Sequence, residues 1–127
     1  MKATLLYNAT VVTAEKEAVG SVLVIDSTIE EVIFSDREDY GFRVDRIMKQ
    51  HEGLEVINLE GKWLMAGGID AHVHFREPGL THKADMSTES LAAAMGGVTT
   101  IFDMPNCVPQ TVTLQALQDK FDHAAET

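Results

Sequence analysis

"GGIDAHVHFREPG", residues 67–79, carries Asp70, His72, His74 and Arg76 at two-residue intervals through an otherwise apolar run. In a strand, residues i, i+2 and i+4 share one face. The spacing therefore predicts a strand over 69–75, with the ionisable set on one side and Ala71, Val73 and Phe75 on the other. In a (β/α)8 barrel the first set would face the axis and the second the surrounding helices. Charged groups on an axis are costly unless they pair or bind something. Two imidazoles at the C-terminal end of such a strand suit a metal ion, each offering a neutral ring nitrogen at about 2 Å. Arg76, one step further out, would stand at the barrel mouth, where its planar fork suits a carboxylate.

A His-x-His pair also arises by chance in half-exposed strands. Here it follows Gly67 and Gly68, lies among apolar residues and leads at once into the sharp exit "REPG". That setting favours His72 and His74 as metal ligands. Asp70, at the strand's start, is expected to order neighbouring backbone or a ligand histidine, a common supporting role around metals.

Downstream, "STESLAAAMGG" (87–97) predicts a short helix with a serine-rich start and a Gly-Gly stop. "VTTIFDM" (98–104) predicts a second strand, and "PNCVPQT" a turn-rich loop. From Thr113, a fair N-cap, a helix is expected with Leu114, Leu117, Phe121 and Ala124 or Ala125 on one stripe. Strand, helix, strand, helix is the opening of an α/β fold with parallel strands. Asn106 falls in the loop beyond the second strand. Its amide suits recognition of a carboxylate or amide, against the alternative of a plain turn asparagine between prolines. His51, His82 and His123 are assigned structural or surface roles.

Upstream, residues 1–62 read as β-rich. "TLLYNATVVT", "SVLVID", "STIEEVIF" and "LEVINL" are short, rich in Val, Ile, Leu and Thr, and separated by polar breaks. Between them, 35–53 is charged and predicted to be a surface excursion, partly helical from Phe42 to Gln50.

The 127 residues are 45% hydrophobic and carry a net charge of −10, a sign opposite to that of nucleic-acid or anionic-membrane binders. No run approaches the ~20 apolar residues of a membrane span, and no signal-type apolar core stands at the start. Cys107 is the single cysteine and is expected as a small, partly buried filler. A reducing compartment fits, so a cytoplasmic protein is expected, with neither nucleic acid nor membrane as partner.

"GGIDAHVHFREPG" followed by "SLAAAMGGVTTIFDMPNCVP" resembles the N-terminal part of a class I dihydroorotase of the amidohydrolase superfamily. The resemblance implies an α/β fold: residues 1–62 as the N-terminal part of a β-sandwich-like domain, and 63–127 as the first two β/α units of a (β/α)8 TIM-type barrel. It implies Zn2+ on His72 and His74, and Arg76 and Asn106 on the carboxylate of the substrate. The implied reaction is reversible hydrolysis of dihydroorotate to N-carbamoyl-aspartate, in pyrimidine biosynthesis. Two departures stand out: Ala66 where proline is common, and no glycine in "IDSTIEEV" between two N-terminal strands. A barrel of this kind needs ~250 residues, so the chain is expected to be a fragment of a larger fold. The catalytic aspartate and the remaining ligands are then expected downstream. The isolated chain should be inactive, and the full-length enzyme a homo-oligomer. Two competitors are a hydantoinase- or allantoinase-like cyclic amidohydrolase, and a non-catalytic dihydroorotase-like structural partner. The combination of Arg76 with Asn106 argues against the first, and the intact histidine pair against the second.

Overall fold

The computed structural model describes residues 2–126, and the chain divides into two compact units between Ala66 and Gly67. Strands β1 (Ala3–Val12), β2 (Glu17–Ile25) and β3 (Thr28–Phe34) of the first unit form an antiparallel meander. Helix α1 (Tyr40–Gln50) follows, and then β4 (Glu55–Asn58) and β5 (Trp63–Leu64) both pair with β1 in parallel. Because β5 joins this sheet, the first unit runs four residues past Lys62. The β2–β3 turn does without glycine: Asp26 takes a left-handed φ of 53° and is tied to the chain start, its N–H donating to the Lys2 carbonyl at 2.7 Å.

A bulge organises the two faces of the sheet. Between Leu6 and Ala9, β1 spends one residue more than β2, and Asn8 there has a φ of 55°. The extra residue reverses the side-chain alternation of β1. Leu5 and Tyr7 lie with Leu23, Ile33, Val44 and Ile47 beneath α1, whereas Ala9 and Val11 join Leu6, Val22 and Val24 on the opposite face. Leu5 and Ile33 are fully buried, each contributing about 1.5–3 kcal/mol of hydrophobic stabilisation. Ser21, the buried polar side chain of the strands, shares a 2.9 Å hydrogen bond with the Tyr40 hydroxyl of α1. No second sheet covers the Ala9–Val11 face among the described residues. It forms a groove of about 370 Å³ whose walls include Val24, Ile29, Val32 and Met65.

The second unit consists of β6 (Gly68–Val73), α2 (Met86–Met95), β7 (Val98–Asp103) and α3 (Leu114–Ala124), with β6 and β7 parallel. The crossover helix α2 begins one residue before the predicted serine-rich start. Its cap is Asp85, whose carboxylate accepts the Thr88 N–H at 2.8 Å. Thr113 caps α3 as expected, accepting from the Ala116 N–H at 3.1 Å. Gly67 lies so close to Thr99 that any Cβ would overlap that side chain, which seats the start of β6 against β7. The apolar stripe of α3 is open: Leu114 and Phe121 are 87% and 62% exposed. No helix among the described residues is long and apolar enough to cross a membrane.

A histidine pair and a left-handed arginine at the strand ends

The parallel register brings two chain exits together. Val73 is paired with Asp103, and the Met104 N–H donates to the Val73 carbonyl at 2.9 Å. Arg76 and Asn106 thus each lie three residues beyond paired positions. Further out the exits are joined again: the Val108 N–H donates to the Pro78 carbonyl at 2.9 Å. Gly79, at a φ of 85°, passes so close to the Val108 carbonyl that a side chain would overlap it.

The predicted strand over 69–75 is shorter than expected. Regular pairing ends at Val73, and β6 spends one residue more than β7 between Asp70 and Val73. The uninterrupted alternation from Asp70 to Arg76 is therefore not realised. Asp70 turns back on its own backbone, its Oδ1 accepting the His72 N–H at 3.0 Å. The histidines stay together, with ring centroids 5.2 Å apart and planes inclined at 66°. With zinc–nitrogen distances of about 2.0–2.1 Å and a ring radius of roughly 1.2 Å, two imidazoles on one tetrahedral ion have centroids about 5 Å apart. Nδ1 of His74 is also buried without a hydrogen-bond partner, a costly state for a ring nitrogen unless something binds there. The pair fits two ligand positions. Among the described residues no group of three or more His, Cys, Asp or Glu side chains could complete such a centre.

Arg76 has left the strand altogether. Its φ is 65°, a left-handed backbone that costs a non-glycine residue about 1–2 kcal/mol and persists only where neighbours enforce it. Arg76 is half-buried, Asn106 is exposed, and neither side chain has a hydrogen-bond partner among the described residues.

Two carboxylates beside Arg76, those of Asp103 and Glu77, escaped the sequence reading. Asp103 ends β7 with one oxygen accepting the Phe75 N–H at 3.0 Å and the other 2.5 Å from Lys120 Nζ of α3. Both members of this ion pair are about nine-tenths buried. Glu77 receives the Met86 N–H at 2.7 Å and lies 2.9 Å from Nε2 of His123, also on α3. A charge closing the uncharged, β-branched and apolar run "VTTIF" was the available signal for Asp103, and the i, i+3 spacing of Lys120 and His123 was the signal on α3. Cys107 is buried, its thiol 3.2 Å from the Pro109 carbonyl and 3.2 Å from the Thr111 hydroxyl, consistent with a packing role.

The Met86 N–H, and after it His123, hold the Glu77 carboxyl below its ordinary value. A folded-state pKa that is depressed stabilises the fold above the unfolded value and is lost as pH falls through the folded one. Glu77→Gln is expected to lower stability at neutral pH and to flatten the loss of stability below about pH 4.5. Urea midpoints of wild type and variant, measured from about pH 3 to 7, would converge at the acid end.

Residues 61–126 match the dihydro-orotase-like family model. The chain is 43% identical over 86 residues to a dihydroorotase of Halobacterium salinarum, which covers 67% of this chain and 20% of that protein. It is 58% identical over 55 residues to a dihydroorotase of Methanothermobacter thermautotrophicus, covering 43% of this chain and 13% of the relative. In structure it is similar to an L-hydantoinase (dihydropyrimidinase) from Arthrobacter aurescens, with a TM-score of 0.77 and 27% identity over 98% of this chain and 25% of the other. A D-hydantoinase from Thermus sp. gives a TM-score of 0.65 at 26% identity, over 95% of this chain and 24% of the other. The chain thus spans no more than about a fifth of these curated relatives and a quarter of these solved chains.

Proposed function

The chain belongs to the dihydro-orotase-like family, and from that premise we propose that it is an N-terminal portion of a zinc-dependent dihydroorotase. The full-length protein would interconvert dihydroorotate and N-carbamoyl-aspartate in pyrimidine biosynthesis. The observation that carries this reading is the sequence of groups leaving β6: two adjacent imidazoles, then an unpartnered guanidinium two residues on.

His72 and His74 would hold the metal from one strand end. When bound, zinc supplies hydroxide at neutral pH by lowering the pKa of its water, and it polarises the carbonyl under attack. Arg76 would grip the exocyclic carboxylate of the substrate through its two-pronged fork, and the Asn106 amide would donate to the same carboxylate. Holding that carboxylate fixes the ring, so that its carbonyl stands over the histidine pair in an attack-ready pose. The other ligands and a proton-transferring aspartate are expected from chain outside residues 1–127. In this reading 67–127 is the opening of a (β/α)8 barrel. The open apolar face of the first unit would receive the second layer of a β-sandwich from elsewhere in the protein. The same reading makes the enzyme a cytoplasmic homo-oligomer and the isolated chain inactive.

A hydantoinase-like substrate is the second reading, favoured by the solved structures that this chain is similar to. The deciding experiment is to purify the full-length protein, determine its zinc content and assay dihydroorotate beside hydantoin, allantoin and dihydrouracil. Preference for the carboxylated ring, dihydroorotate, supports the first reading; preference for rings without a carboxylate supports the second.

A further inference from the structure

We propose that Asp103 and Glu77, backed from α3 by Lys120 and His123, are positioning residues that hold Arg76 in its left-handed conformation for the substrate carboxylate. The inference rests on the dihydroorotase reading and adds residues to it that touch no substrate.

Three observations carry it. The first is position. Arg76 is fixed from both sides: Asp103 accepts the N–H of the preceding residue, and the following residue is Glu77 itself, bonded to the α2 N-terminus. The second is the end of the ladder. β6 ceases to pair at Val73, so no strand partner takes the Phe75 N–H, and the Asp103 carboxylate replaces one. The third is the cost of the arrangement. A buried ion pair adds little net stability compared with an apolar pair of the same shape. Lys120 and Asp103 stand among apolar side chains, including Ile101, Leu117 and Phe121, that line one cavity. What the ion pair provides and an apolar pair cannot is a carboxylate of fixed orientation, with one oxygen facing Lys120 and the other facing the backbone before Arg76. Helix α3 thereby acts on the arginine without touching it.

The test uses the full-length enzyme, with zinc content and dihydroorotate kinetics measured for each variant. Asp103→Ala is expected to raise KM at least about tenfold while kcat stays within about threefold and zinc is retained, as when substrate and transition state are held less tightly to the same extent. Asp103→Asn keeps an acceptor for the Phe75 N–H and should recover most of that loss. Lys120→Met, on the helix, should reproduce the KM effect in part and Lys120→Arg should restore it, so a poorly folding Asp103→Ala does not end the test. In an Arg76→Met background, Asp103→Ala should add less than about twofold, because the arginine it positions is gone. Equal losses from Asp103→Ala in the two backgrounds would overturn the positioning role and leave the dihydroorotase reading standing. A wild-type enzyme that loads zinc, turns over hydantoin and ignores dihydroorotate would overturn the substrate reading, and this inference with it.

Discussion

Full-length protein carrying His72→Ala or His74→Ala is expected to retain little zinc and to turn over dihydroorotate at about a thousandth of the wild-type rate or less. Zinc would bring the pKa of its bound water to near 7, far below that of bulk water, so without the metal the nucleophile is almost absent at neutral pH. Each substitution removes one of two rings whose 5.2 Å separation suits a shared ion, and catalytic zinc centres have only about three protein ligands to begin with. His74→Ala should be the more damaging to folding as well, since His74 is half-buried and His72 exposed. Metal analysis after dialysis, together with the assay, checks the expectation. Undiminished zinc and turnover in both variants would sink the ligand assignment.

Arg76→Met is expected to leave zinc in place and lower kcat/KM for dihydroorotate by about 30-fold to several thousandfold. Truncating one partner of a desolvated charge pair costs about 2–5 kcal/mol, and each 1.4 kcal/mol is a factor of ten. Arg76→Lys should recover only part of this, because an ammonium cannot make the paired contacts of a guanidinium fork. Arg76→Gly is informative in a different way. Glycine takes a left-handed φ without cost, so this variant keeps the backbone path and loses only the fork. If Arg76→Met retains wild-type kinetics, binding through the substrate carboxylate is the wrong mechanism.

Much of the second unit was legible because its signals are local. Thr113 before an amphipathic run, Gly96 and Gly97 after an alanine-rich one, and a β-branched stretch ending at Asp103 each announce their element within a few residues. The histidine pair was legible for the same reason, since i and i+2 are neighbours on any strand. What alternation could not reveal is where the strand gives out. The irregular pairing after Asp70 and the left-handed Arg76 depend on β7 and on the loop beyond it, more than twenty residues away. The ion pairs from α3 are of the same kind: only the fold brings Lys120 and His123 to Asp103 and Glu77. The predicted stripe on α3 exists, but its largest members remain exposed, Leu117 and Phe121 lining an open cavity beside Asp103, because a helical period names the apolar face without naming its neighbour.

The bulge at Asn8 makes β1 a strand read in two frames. Residues 3–7 obey one alternation and 9–12 the other, and the switch coincides with the change of partner from β4 to β5 along the same edge. A one-residue deletion within Tyr7–Asn8 would therefore remove only the extra residue: it would restore a regular strand and leave Ala9 and Val11 on the groove side, opposite Gly20 and Ala18. A conservative substitution at either position leaves the frame intact. The count of residues here can thus change by one without exchanging the two faces of β1, so length variation of one residue among related chains is expected in this short interval before any other part of the strand.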